Sequence, residues 1–205
     1  MTPFESLPKA VLHDHLDGGL RPATVLELAD EVGYRGLPST DLEEVVEWFD
    51  QGKSGSLERY LAAFTHTVGV MQTPGAIERV AYESVVDLAS DGVIYAELRF
   101  APSLNIVSGM SRHEVLEAAL EGMRRGAHDT GIATGLIVDA MRNSDDSNDV
   151  VAVAIDFADE GVIGFDLAGP ELGFPPEAHL DACLQAKEHL GGLTLHAGEA
   201  DGPDS

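Results

Sequence analysis

Val11-Leu12-His13-Asp14-His15-Leu16-Asp17-Gly18 is the stretch from which the rest of the chain can be read. The apolar run Val11–Leu16 is long enough for a strand and too short for a stable helix. Side chains two apart on a strand point to the same face, so His13, His15 and Asp17 project together while Asp14 points away. Two imidazoles facing one way can chelate a divalent metal at about 2.0–2.1 Å each. The alternative is an ordinary pair of hydrogen-bonded histidines at a strand end.

Further along, the same kind of strand recurs at Val93–Phe100, Ala133–Ala140, Val162–Ala168 and Leu193–His196. Amphipathic helices lie between them. Pro74–Ser90 repeats Ile77, Val80, Ala81, Val85 and Leu88 at helical spacing, with Thr73 placed to cap it and Asp91-Gly92 to end it. Ser111-x-x-Glu114 is a capping box opening the next helix. Two more helices are expected over 147–159 and 176–190. Such alternation predicts parallel strands joined by right-handed crossovers.

Five parallel βα units fit either an open doubly wound sheet or part of a (β/α)8 TIM-type barrel. The chemistry favours the barrel, where functional groups gather at the carboxyl ends of strands. Those ends carry His13, His15 and Asp17, then Glu97 and Arg99, then Asp139, Asp166, and finally His196 and Glu199. No glycine-rich dinucleotide fingerprint follows the first strand; Gly18-Gly19 alone is weak. About 75 residues separate the first two strands, with helical signals at 22–31, 41–49 and 57–69 and a capping box Thr40-x-x-Glu43. This insertion fits either a lid over the site or a helical side-pack.

Composition narrows the function classes. Among 205 residues, 36 are acidic and 12 basic, a formal charge of −24 with only three lysines. Such a surface repels phosphate backbones and anionic lipids, so neither nucleic acid nor membrane is an expected partner. No run approaches the roughly 20 apolar residues of a membrane span. MTPFESLPKA lacks the basic and apolar regions of a secretory signal, which makes the cytoplasm the expected location. The single cysteine, Cys183, rules out an internal disulfide and any cysteine-rich zinc site, and is expected to pack beside Leu180 and Leu184. A metal here must be held by His and carboxylate.

Three more segments carry chemistry. Leu193-Thr194-Leu195-His196-Ala197-Gly198-Glu199 runs from an apolar strand into a His, a small-residue turn and a Glu. The short turn lets a partly buried Glu199 swing back toward a metal held by His196, as a proton-transfer group. Gly164-Phe165-Asp166-Leu167-Ala168-Gly169-Pro170-Glu171 is a strand ending in a glycine that backbone and a flat ligand can approach closely; Asp166 is expected to bond loop N–H groups. Glu97 and Arg99 share a strand face and are expected to form a buried ion pair bracing the barrel.

Taken together, Pro8-Lys9 leading into LHDHLDG, then ELRFAP, GFDLAGPE and LHAGEA resemble, in order and spacing, the adenosine deaminase family of the amidohydrolase superfamily along essentially the whole chain. The resemblance implies one partial deaminase barrel domain over residues 1–205, with a helical insertion at about 20–90. It implies Zn2+ held by His13, His15 and His196. Glu199 would protonate purine N1 as hydroxide attacks C6, and His15, Asp17 and Gly169 would face the substrate, Asp17 at the ribose and the Gly169 N–H at N3. The histidine ligands by themselves would also suit iron or nickel. Asp17 stands where relatives acting on free adenine tend to carry Glu, which favours adenosine or 2′-deoxyadenosine, deaminated to the inosine product plus ammonia in purine salvage.

The family pattern also implies a further His soon after HAGE and a later strand ending in two Asp, one of them a zinc ligand. Three barrel strands would follow as well. The 205 residues are therefore expected to be a truncated piece, poorly soluble and catalytically silent alone. An adenine or modified-nucleoside deaminase and a non-catalytic purine-binding fragment are the competing readings. Oligomeric state is not legible.

Overall fold

The computed structural model describes residues 7–50 and 57–200. The N-terminal stretch read for a signal (1–6) and the tail 201–205 lie outside the described residues. Five strands, β1 (Lys9–His15), β2 (Val93–Phe100), β3 (Ala133–Met141), β4 (Val162–Ala168) and β5 (Gly192–Leu195), form one parallel sheet in the order β1-β2-β3-β4-β5. Each strand lies beside its neighbour in sequence, so there is no point at which the order reverses. A doubly wound sheet has such a reversal. This is five strands' worth of a (β/α)8 barrel wall.

The period of two along each strand sorts the two faces. Leu98 and Phe100, Leu136 and Val138, Phe165 and Leu167 belong to the apolar core beneath the helices. The alternate residues Arg99, Asp139 and Asp166 turn to the inner face. They are also buried, at 2%, 2% and 0% exposure, so that face must satisfy its own charges.

Among the described residues, four helices connect β1 to β2: α1 (Pro22–Glu31), α2 (Leu42–Phe49), α3 (Leu57–Val70) and α4 (Pro74–Ser90). The cap of α2 differs from the expected Thr40 box. Asp41 is the N-cap, its carboxylate accepting from the N–H groups of Glu43 and Glu44 at 3.0 and 3.2 Å. A carboxylate also suits the positive end of the helix dipole better than a hydroxyl. Thr73 caps α4, and Ser111 with Glu114 closes both halves of a capping box on α5 (Arg112–Thr130).

Helices α4 and α5 approach closely at Gly122, where an added Cβ would stand 2.2 Å from the Glu78 carbonyl oxygen. Beyond β3, α6 (Ser147–Asp156) stops short of the expected 159 and gives way to a 3-10 turn at 158–160. The 176–190 segment likewise opens as a 3-10 turn, Pro176–His179, before α7 (Leu180–His189). Its buried stripe is His179, Ala182, Cys183 and Ala186, spaced i, i+3, i+4, i+7. Leu180 and Leu184 lie off that stripe, each 55% exposed, so Cys183 shares its buried face with His179, Ala182 and Ala186 and not with those leucines.

Candidate metal centre and cavity

Strands β1 and β5 are the outermost of the five, and in a flat sheet they would stand roughly 19 Å apart. Their histidines meet nevertheless. The Nε2 atoms of His13, His15 and His196 form a triangle with every side 3.1 Å. The sheet therefore curls, and all three rings point to the inside of the curl.

A hydrogen-bonded explanation of this triangle fails by counting. The Nε2 of a neutral imidazole either donates one proton or accepts, so three mutual bonds cannot coexist. One metal ion would satisfy all three. The three nitrogens lie close enough together for His13, His15 and His196 to hold a single divalent ion of the kind that imidazoles bind at about 2.0–2.1 Å. The donors also fit electronically. Burial first, then the charges of Arg99, His196 and His15, pull the His13 pKa down to about 4, with Asp166 opposing. The ring is thus neutral, as a ligand must be.

Behind the triangle stands a layer of carboxylates. Asp166 Oδ2 lies 2.9 Å from His196 Nδ1, a close carboxylate contact behind the ring that is not aligned as a hydrogen bond. Its other partners are the Arg99 guanidinium and, at 2.8 Å, the Leu167 N–H. Burial alone would raise the Asp166 pKa, but His196 and Arg99 outweigh it and hold the carboxyl below its ordinary value. The expected Glu97–Arg99 pair is corrected accordingly. Arg99 crosses to Asp166 and to the carbonyl of Leu12 at 2.9 Å, while Glu97 accepts from the Tyr95 hydroxyl at 2.9 Å. Asp166 is correspondingly a link between Arg99 and His196, with only one backbone N–H partner. Asp139 sits between these groups, its pKa pushed well up by burial and by the charges of Asp166 and Asp17.

The histidines open onto a cavity of about 560 Å³. Asp17, Gly169 and Glu199 line it with them, and Phe64 and Leu61 of α3 form part of its apolar wall. Asp17 is 3% exposed, and its Oδ1 has no hydrogen-bond partner among the described residues. Gly169 takes a φ of +94°, a left-handed backbone that favours glycine, as β4 turns into its loop. Glu199 is exposed where partial burial was expected, because its turn follows β5, which pairs only with β4 among the described residues. Thus the structure brings His13, His15, His196, Asp17, Gly169 and Glu199 around one cavity.

Two contributors were not singled out from sequence. Glu171 is 2% exposed, and its carboxylate accepts from the N–H groups of Glu199 at 3.2 Å and Ala200 at 2.7 Å. Arg142, 3% exposed, donates to the carbonyl of His196. Only the position of Glu171 inside the GFDLAGPE motif hinted at a role.

A parallel barrel wall with a three-histidine cluster at the carboxyl ends of its strands defines the class: an amidohydrolase-type barrel. The family model for adenosine deaminase matches residues 8–205, and the chain belongs to that family. It is 54% identical over 201 residues to the adenosine deaminase of Mycobacterium marinum (strain ATCC BAA-535 / M), a match covering 95% of this chain and 56% of that protein. The chain thus spans about half the length of the curated relatives it matches. Among solved structures, the Arabidopsis N6-mAMP deaminase superposes with a TM-score of 0.84 at 30% identity, over 100% of this chain and 63% of that one. An amidohydrolase from Burkhoderia ambifaria with bound Zn superposes at 0.76 with 28% identity, over 95% and 53%.

Proposed function

We propose that this chain carries the histidine ligands and the ring-protonating group of a zinc-dependent deaminase. The enzyme would convert adenosine or 2′-deoxyadenosine to the inosine product plus ammonia, as a cytoplasmic step of purine salvage. The observation that carries this reading is the triangle of His13, His15 and His196 nitrogens at the floor of a cavity shared with Asp17, Gly169 and Glu199. Bound there, zinc supplies a nucleophile at neutral pH by lowering the pKa of a coordinated water to about 7.

The chain's own residues do the rest. Glu199 delivers a proton to purine N1, which makes C6 electrophilic. The Gly169 N–H meets N3 and fixes the plane of the ring. Asp17, a buried acceptor with an unused oxygen, takes a ribose hydroxyl. His15 serves both the ion and the substrate side of the cavity. Apolar Phe64 and Leu61 cover the base.

Nucleosides are favoured over nucleotides on charge. The described residues lining the cavity include Asp17, Glu199 and, against the alternation expected along β1, Asp14, whose strand has a register shift between Val11 and Asp14; they include no Lys or Arg, so a phosphate there would meet carboxylates without a cation. The test uses the zinc-loaded full-length gene product offered adenosine, AMP and adenine, with ammonia release as the readout. Adenosine should be deaminated, AMP far more slowly, and Glu199→Gln should cost on the order of 100-fold or more in kcat. Failure of the zinc-loaded protein to release ammonia from adenosine would overturn the reading.

A further inference from the structure

The turn 196–200 must do two things at once: face the His196 ring to the metal and deliver Glu199 to the cavity. Gly198 lets it bend sharply, with φ at +77°. The turn is exposed at Ala197, Gly198, Glu199 and Ala200, so packing alone does not hold it. Polar groups from the ends of β3 and β4 do.

These contacts close into a ring. Arg142, just past β3, donates to the carbonyl of His196 and, at 3.3 Å, to that of Phe174. The Phe174 N–H bonds the Glu171 carbonyl at 2.9 Å. The Glu171 carboxylate then takes the N–H groups of Glu199 and Ala200, one on each oxygen. Behind the ring, buried His179 braces Arg142 by bonding its carbonyl at 3.1 Å and the Ser147 hydroxyl at 2.9 Å.

We infer that Glu171 is a positioning residue for the proposed proton donor: with Arg142 as its counterpart, it clamps the His196–Ala200 turn from both sides and sets where the Glu199 carboxyl stands. A buried carboxylate accepting two successive N–H groups is a directional fixture, since each oxygen specifies one amide. A glutamine could satisfy only one of the two amides, because its NH2 would face the other N–H. The inference rests on the reading of Glu199 as the acid. Its role is indirect, because Glu171 reaches the turn's backbone and not the substrate.

The experiment compares Glu171→Gln with a control at an exposed acid, Glu177→Gln, in the zinc-loaded full-length gene product. Three readouts are taken: the kcat and KM for adenosine, the zinc content, and hydrogen exchange at the Glu199 and Ala200 amides. For Glu171→Gln we expect exchange at these two amides to rise about tenfold or more. The kcat should fall roughly 30- to 100-fold, as for a catalytic group displaced by about an ångström, while KM and zinc content stay near wild type. Glu171→Asp should recover part of the kcat, and the control should change nothing.

Arg142→Lys serves if Glu171→Gln fails to fold, because it replaces the planar fork, which reaches the two carbonyls from separate nitrogens, by a single ammonium; it should show the same split between kcat and KM. Wild-type kcat and wild-type exchange in Glu171→Gln would overturn the inference. So would a kcat loss that only tracks zinc loss, with exchange in β4 rising as much as in the turn. Were adenosine not deaminated at all, the functional reading would fail, and the exchange contrast would still decide the clamp.

Discussion

Asp166 carries the densest set of obligations in the molecule. It is fully buried, neutralises an Arg99 that is itself 2% exposed, and stands 2.9 Å from the ring nitrogen of His196 that faces away from the metal triangle. Removing its charge would strand the guanidinium in a place water cannot reach. Breaking one partner of a buried pair typically costs about 3–5 kcal/mol, far more than an exposed pair could return. Asp166→Asn keeps the shape and loses the charge, so we expect about that loss of stability in urea unfolding. Weaker orientation of His196 should also cost about 10- to 100-fold in zinc affinity, read by competition with a chelator. An Asn variant with the wild-type unfolding midpoint and zinc affinity would show that Asp166 is a spectator. The sequence marks Asp166 as buried and bonded to N–H groups; one such bond forms, from Leu167, while its charged partners Arg99 and His196 were not legible. Pairing Arg99 with Glu97 was the local reading, and Arg99 instead crosses β3 to reach Asp166 on β4, a choice set by curvature and register.

At the scale of elements, what was local was legible. Thr73 and Ser111 cap α4 and α5 as their spacing predicts, and β2 and β4 have the predicted ends, because propensity and capping are decided within a few residues. Thr40 lost to Asp41 within the same motif, since two acceptors one residue apart compete for the same amides. How the helices between β1 and β2 are pinned was not legible. The Tyr34 hydroxyl, just past α1, meets His66 Nδ1 of α3 at 2.9 Å, and Trp48 of α2 lies edge-on to the same ring at 4.9 Å. One imidazole thus joins three helices.

Burial lowers the His66 pKa below its ordinary 6.5. The unfolded chain therefore takes up the proton first, and stability rises with pH through that window. The contribution is complete above about 6.5 and is lost as pH falls below it, when a protonated Nδ1 can no longer accept from Tyr34. Urea midpoints of wild type and His66→Gln should accordingly draw together between about pH 7.5 and about pH 5.5. Curves that stay parallel across that range would mean that His66 does not titrate with folding.

Across the whole molecule, the histidine triangle joins β1 to the end of β5. His13 and His15 on β1 and His196 just past β5 are 181 or more positions apart, yet their Nε2 atoms lie 3.1 Å from one another. The motif order around the sheet was legible, because each motif ends a strand and the strands are added in sequence. The convergence itself needed the curl, which no single segment encodes. An ion there would hold the curl closed, so it would belong to folding as much as to chemistry. If zinc binds the folded chain and not the unfolded one, its contribution grows as the logarithm of its concentration, reaching about 2.7 kcal/mol at 100 times the dissociation constant. Urea unfolding should therefore shift to higher midpoint with added zinc and back with chelator. His13→Ala, which removes an exposed ligand from the edge of β1 with little core to disturb, should abolish most of the shift while leaving the chelated protein about as stable as chelated wild type. Identical midpoints with zinc and with chelator in the wild type would mean that the three rings meet for a reason other than a metal.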